Sequence, residues 1–240
     1  MTTSEQTMAK TSQPIVSMKG VHKRYRQGEL EVPALRGLDL QVQPGEFLAL
    51  TGPSGSGKTT ALNLIGALDE PTEGEVRVEG KDLGSMSRSE RSRLRRDRIG
   101  FVFQAYNLIP VLTAYENAEM VMRLQGTDEE TRRKRVMELL DEVGLAGLEH
   151  RRPDQLSGGQ QQRVAIARAI AAGPAVTLAD EPTANVDSAT AEKLLEIMQR
   201  LNEDRGVTFI FSTHDPRVME RARRIVRLVD GRVESDEAVG

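Results

Sequence analysis

An α/β fold with a mostly parallel central sheet, an antiparallel β portion and a helical insert is the prediction for this chain of 240 residues. Three observations make it. Short β-rich runs alternate with helix-length periodic segments, the order that α/β crossovers require. Two early runs, "LRGLDLQV" and "GEVRVEG", instead alternate apolar and polar residues, as strands with one wet face do. A third stretch, from Ala114 to about Leu148, reads as helical throughout.

Taken in order, residues 1–13 are polar, lack an apolar segment of the secretory kind and are expected to be a disordered tail. One domain, 14–240, follows. Its expected strands are Ile15–Met18, Phe47–Thr51, Ile99–Phe103, Val176–Ala179, Thr208–Ser212 and Ile225–Val229, with the antiparallel portion confined to the part before about Val78. The helical insert is assigned to 105–155, where Arg, Glu and Lys separate apolar positions at helical spacing and Gly126 and Gly144 act as stops.

Composition narrows the function classes. A chain of this length buries a full core. Its 33 basic and 36 acidic residues leave a net charge of −3, which supplies no general field for nucleic acid, and an aromatic content of 3% leaves few stacking platforms. The arginine-rich runs at Arg88–Arg98 and Arg132–Arg135 carry acidic neighbours and read as solvated helix faces, so no nucleic-acid partner is expected. There is no cysteine, which excludes disulfides and thiolate metal sites. No apolar run approaches the roughly 18 residues needed to span a bilayer; Val164–Ala179 is interrupted by Arg168, Gly173 and Pro174. Work at a membrane would therefore be peripheral.

"GPSGSGKTT", Gly52 to Thr60, fits G-x-x-x-x-G-K-[ST] between an apolar strand and a helical pattern. Glycines at 52, 55 and 57 let successive amides point inward, and the next helix begins with free N–H groups and partial positive charge, a cup for a chain of phosphates. Lys58 reaches the outer phosphates, and the Thr59 hydroxyl suits a Mg ion that keeps several waters. "VTLADEPT" then places Asp180 and Glu181 at the C-terminal end of a buried strand, where such sheets bind ligands. Asp180 would hold Mg through a water, and Glu181 would orient or deprotonate the attacking water. Gln104 and His214 stand at two further strand ends, and Tyr25 is a candidate stacking face for an adenine ring.

"QLSGGQQQR" sets Ser157, Gly158 and Gly159 before an apolar helix. The serine is a natural N-cap and the glycines bare the amides of a second helix N-terminus, so a second anion-binding end exists. These residues by themselves do not say which anion it meets.

Phosphate loop, Gln104, LSGGQ, Asp180–Glu181 and His214, in this order, resemble the nucleotide-binding subunit of ATP-binding cassette (ABC) transporters, from about Ile15 to Val229. The resemblance implies a P-loop NTPase of the ABC ATPase fold, with ATP and Mg2+ as ligands. It implies nucleotide contacts at Tyr25, Gly52, Pro53, Ser54, Gly55, Ser56, Gly57, Lys58, Thr59, Thr60, Ser157, Gly158, Gly159, Gln160 and Asp187. Catalysis falls to Glu181, His214 and Gln104, and metal binding to Thr59, Gln104 and Asp180. It also implies that the LSGGQ end meets the γ-phosphate held by the phosphate loop of a second copy, so that two head-to-tail subunits enclose two ATP molecules. The further partner is an integral membrane permease, and the location the cytoplasmic face of the cell membrane.

"FVFQAYNLIPVLTAYENAEM" looks like the corresponding stretch of the lipoprotein-releasing and macrolide-export ATPases. There Tyr106, Leu108, Ile109, Pro110 and Leu112 would form the groove for a permease helix. "TANVD" departs from the subgroup, which often has glycine before the asparagine and leucine after it. The chain stops soon after "LVDGRV", which predicts a separate permease chain. Other classes fit less well: only 99 positions separate Lys58 from Ser157, without the coiled coil of a DNA-repair or chromosome-organising ATPase. No Asn-Lys-x-Asp base reader marks a GTPase, and a small-molecule kinase gives no reason for LSGGQ. A non-transport regulatory cassette and an importer subunit remain as alternatives.

Overall fold

A computed structural model describes residues 13–28 and 30–239; all but the last residue of the expected tail lies outside the described residues. The strands are β1 (Val16–Gln27), β2 (Leu30–Val42), β3 (Phe47–Thr51), β4 (Glu73–Val78), β5 (Lys81–Asp82), β6 (Ile99–Val102), β7 (Val176–Asp180), β8 (Phe209–Ser212), β9 (Arg224–Val229) and β10 (Arg232–Ala238). The helices are α1 (Lys58–Ile65), α2 (Arg88–Arg98), α3 (Ala114–Leu124), α4 (Glu129–Glu142), α5 (Gly158–Ala171), α6 (Ser188–Arg205) and α7 (Pro216–Arg221).

The larger sheet has the order β10-β9-β3-β8-β7-β6. All its pairings are parallel except that of β10 with β9. Its central strands are buried on both faces, which is why they read as continuous apolar runs. Strand periodicity divides them between two cores: Phe47 and Ala49 face α3 to α6, whereas Leu48 and Leu50 face α1 and the smaller sheet. Phe47 meets Phe211 with ring centroids 4.6 Å apart on the helical side.

The smaller sheet, β2-β1-β4-β5, is antiparallel and lies in the part of the chain expected for it. In β2 the inward residues are Leu35, Leu38, Leu40 and Val42. β1 runs nine residues past the expected Met18, because the polar segment after Val21 pairs along β2, Tyr25 opposite Val32. The edge strand β10 had no apolar signal either. Its charges are those of a protected edge, with Asp236 paired to Arg224 and Glu234 to Arg227.

Between β6 and α5 the chain forms the helices α3 and α4, joined by loops. Thr113 and Glu116 form a capping box at α3, and Asp128 caps α4 by accepting from the Thr131 amide. Gly126 and Gly144 both adopt left-handed φ beyond the two helices, where they end them. Arg91, Arg96 and Arg98 of the arginine run on α2 pair with Glu70, Asp97 and Glu79.

Candidate functional site

β3 delivers the chain into the loop 52–57, whose geometry only glycine satisfies at two points. Gly52 has φ +136, and a Cβ there would lie 2.0 Å from the Leu228 carbonyl oxygen; Gly57, φ +103, would press on the Ala34 carbonyl at 2.7 Å. Gly57 also caps α1 with no side-chain hydrogen bond and no acid in the first turn, so the helix leaves its N-terminal amides for an anion. Lys58 is largely buried, and its Nζ donates to the carbonyls of Gly52 and Pro53, 2.9 Å each, folding the ammonium over the loop. The loop floors a cleft of about 700 Å3 lined by residues 52–60 together with Ala34, Gln104, Glu181, Ala184, Ser212 and His214. That volume suits a small-molecule ligand.

Asp180 and Glu181 have different surroundings. The Thr59 hydroxyl donates to Asp180 Oδ1 at 3.2 Å, which brings two hard oxygen ligands together at the mouth of the loop. No group of three or more His, Cys, Asp or Glu side chains able to hold a metal occurs among the described residues. A cation here would thus take few protein oxygens and complete its shell with water and phosphate, which fits Mg2+. Glu181 sits at φ +45, strained for a residue with a side chain. Its carboxylate accepts from the Thr213 hydroxyl at 3.2 Å and shares a hydrogen bond of 2.7 Å with His214 Nδ1.

Behind this pair lies a buttress for which the sequence offered no signal. Asp215 accepts from the Thr183 hydroxyl at 2.8 Å and from the Arg217 guanidinium at 2.7 Å, and its own amide donates to Thr213 Oγ1 at 2.9 Å. The Arg217 hydrogen bond, with smaller help from Thr183, lowers the Asp215 pKa to about 2. Asn185 and Gln104 are paired in both directions, Asn185 Nδ2 donating to the Gln104 carbonyl at 2.9 Å and Gln104 Nε2 to Asn185 Oδ1 at 3.4 Å. The "TANVD" segment therefore holds Gln104, the residue just beyond β6 that lines the cleft.

Other residues singled out from the sequence do not line the cleft. Tyr25 is not among the residues lining the cleft; its hydroxyl donates to Asp69 at 2.9 Å and Lys23 Nζ stands 4.9 Å from its ring centre. Burial, the largest influence, raises its phenol pKa, while a hydrogen bond to Thr60, itself a lining residue, pulls it down. Ser157 and Gln160 form a capping box: Gln160 N donates to Ser157 Oγ at 3.3 Å and Ser157 N to Gln160 Oε1 at 2.9 Å. Ser157 is exposed and outside the cleft of its own chain. Gly158 and Gly159 have helical φ, so close packing is what demands them: a Cβ on Gly158 would meet the Tyr106 hydroxyl at 2.7 Å, and one on Gly159 the Thr190 methyl at 2.3 Å. Asp187 caps α6 and accepts from the Thr190 hydroxyl at 2.6 Å. Those hydrogen bonds, Thr190's first, lower its pKa.

A second, apolar groove of about 400 Å3 opens beside α3, lined by Leu68, Phe101, Phe103, Met120 and Val121 and flanked by Arg95 and Arg168. The cluster Tyr106, Leu108, Ile109, Pro110 and Leu112, expected to form such a groove, does not line it; Leu108 packs against the helical core instead. The lining residues are far apart in sequence and gather only because α2, β6, α3 and α5 converge.

The ABC transporter family model matches residues 35–184, more than half of the chain. The macrolide export ATP-binding/permease protein of Syntrophobacter fumaroxidans is 49% identical over 94% of this chain and 32% of its own; the chain thus spans about a third of that relative. The lipoprotein-releasing system ATP-binding protein of Anaeromyxobacter dehalogenans is 49% identical over 93% of this chain and 94% of its own. A dimeric cassette of Methanocaldococcus jannaschii, solved in a post-hydrolysis state with ADP and Pi, superposes with TM-score 0.86 at 46% identity, covering 94% and 99% of the two chains.

Proposed function

The chain belongs to the ABC transporter family, as an ATP-binding and ATP-hydrolysing component, and from that premise we propose that two copies close head to tail over two ATP molecules to drive a separate membrane permease. One observation carries the reading. The cleft gathers a phosphate loop and the Glu181 carboxylate, with Asp180 bonded to the lining Thr59, yet the other anion-binding end, the N-terminus of α5 at Ser157, is exposed and lines no part of it. A second copy is the partner that brings such an end over the cleft.

The residues divide the work. Loop amides and Lys58 cradle the phosphates, and α1 adds the positive end of its dipole. Glu181 orients a water and takes its proton as the water oxygen bonds to the γ-phosphorus and the bond to the β–γ bridging oxygen breaks, leaving ADP and phosphate. His214 holds the Glu181 carboxylate and faces the cleft, and Gln104 presents its amide from the end of β6. Thr59 and Gln104 directly, and Asp180 through water, would hold Mg2+, which supplies charge neutralisation on the phosphate oxygens. Hydrolysis removes the group that the second copy grips, so ATP acts as a removable link between open and closed dimers.

Residues 105–155 act in this scheme as a helical subdomain that carries the permease contact. The groove between α2, β6, α3 and α5 suits an amphipathic helix laid into an apolar trough, and its flanking arginines favour an acidic residue on that helix. No helix among the described residues is long and apolar enough to cross a membrane. The names of the two relatives, one a macrolide export ATP-binding/permease protein and the other part of a lipoprotein-releasing system, support export or lipoprotein release, and this reading seats the chain peripherally on the cytoplasmic face of the membrane. Size-exclusion chromatography of Glu181→Gln tests the scheme. With Mg-ATP the variant elutes as a long-lived dimer, and a monomer at saturating Mg-ATP overturns it.

A further inference from the structure

Gln162, the last glutamine of "SGGQQQR", is completely buried on α5. Its Nε2 donates to the Pro182 carbonyl at 2.6 Å and, more weakly, to the Phe103 carbonyl at 3.4 Å. Pro182 directly follows Glu181, and Phe103 directly precedes Gln104. A single side-chain amide thus ties together the peptide after one proposed catalytic residue and the peptide before another. The same helix begins at Ser157, the end proposed to grip the second copy's nucleotide.

The energetics favour a positioning role over packing. The Gln162 Oε1 atom is buried with no hydrogen-bond partner among the described residues, a burden that an apolar side chain of the same length would not carry. Glu181, meanwhile, occupies a left-handed backbone conformation that persists only where its neighbours hold it. Its amide donates to the Ser212 carbonyl at 2.9 Å, and the Gln162 hydrogen bond holds the Pro182–Thr183 peptide one residue further on.

We propose that Gln162 is a positioning residue that sets the Glu181 and Gln104 loops relative to α5, so that displacement of the Ser157 end is passed to the group that activates water. This rests on the proposed function above and adds a route between its two halves. In the full-length chain, Gln162→Met keeps the length and volume but removes both N–H donors. Its kcat falls by about 10–100-fold, the effect of a small misplacement of the reacting groups, while KM and the affinity for a fluorescent ATP analogue stay at wild-type values. In the Glu181→Gln background the same substitution produces no further fall, because the group it positions is already gone. A wild-type kcat for Gln162→Met, a raised KM, or a further fall in the double variant overturns the proposal.

Gln162→Glu supplies a second readout that does not depend on the Met variant folding. Only its protonated carboxyl donates to the Pro182 carbonyl, and burial raises a carboxyl pKa. Its kcat relative to wild type therefore rises as pH falls, and a ratio that is flat with pH overturns the proposal. An unsubstituted chain without ATPase activity would count against the proposed function instead, which separates the two failures.

Discussion

His214 Nδ1 lies 2.7 Å from Glu181 Oε1, joining the turn after β8 to the turn after β7. The contact holds the carboxylate, and in the proposed scheme the histidine also faces the γ-phosphate; such roles matter more in the transition state than in the ground state. His214→Ala is expected to lower kcat by about 100–1000-fold, the usual loss for one aimed polar group, with ATP affinity little changed. Single-turnover hydrolysis alongside fluorescent nucleotide binding measures both, and a variant with the wild-type rate would remove His214 from the catalytic set.

Thr59 tests the metal assignment. Its hydroxyl is 3.2 Å from Asp180, and serine keeps that oxygen while alanine deletes it. Thr59→Ser should retain the Mg2+ dependence of hydrolysis, whereas Thr59→Ala should move the Mg2+ midpoint upward by more than about tenfold. Titration of activity against free Mg2+ separates them; equal midpoints would place the cation elsewhere.

Gly159 and Thr190 form a steric pair. Because the clash at 2.3 Å involves only the threonine methyl, Gly159→Ala should destabilise the chain by about 1–3 kcal/mol. Adding Thr190→Ser removes the methyl but keeps the hydroxyl that donates to Asp187, so most of the loss should return. Urea midpoints of the single and double variants check this, and an equally unstable double variant would show that the methyl is not the obstacle.

Asp215 predicts an acid limb of stability. Its pKa falls from an ordinary 3.8 to about 2 on folding, chiefly through Arg217, so its contribution is fully present above about pH 4 and is lost as pH falls toward 2. Asp215→Asn should lower Tm at pH 7 and differ progressively less from wild type between those limits. Thermal melts across that range test it; a gap that persists unchanged at pH 2 would mean the carboxylate charge is not what Arg217 and Thr183 hold.

Much of the fold was legible because its signals are local. The run "FLALT" reads as a buried strand since both of its faces meet apolar neighbours, and Gly126 and Gly144 mark helix ends through their own φ. The second half of β1 and all of β10 gave no such signal. There the side chains are mostly polar or charged, and the strand state comes from backbone pairing with a distant partner.

The candidate site divides along the same line. "GPSGSGKTT" carries its meaning within nine residues, because glycine φ freedom and helix N-terminal amides act over one turn. Asn185, Thr213, Asp215 and Gln162 carry no motif of their own; their roles exist only through contacts made after β6, β7, β8 and α5 are set side by side.

By itself the sequence determined the buried strands, the glycine-rich loop, the acidic pair at a strand end and the capped helix at Ser157, all of which depend on neighbours a few residues away. Only the tertiary structure decided that Tyr25 bonds to Asp69, that the glycine pair packs closely against Tyr106 and Thr190, and that the apolar groove is built by Leu68, Phe101 and Met120. The reason is physical: backbone conformation and capping are short-range, whereas clashes, shared hydrogen bonds and clefts are set by distances between segments that chain order does not encode.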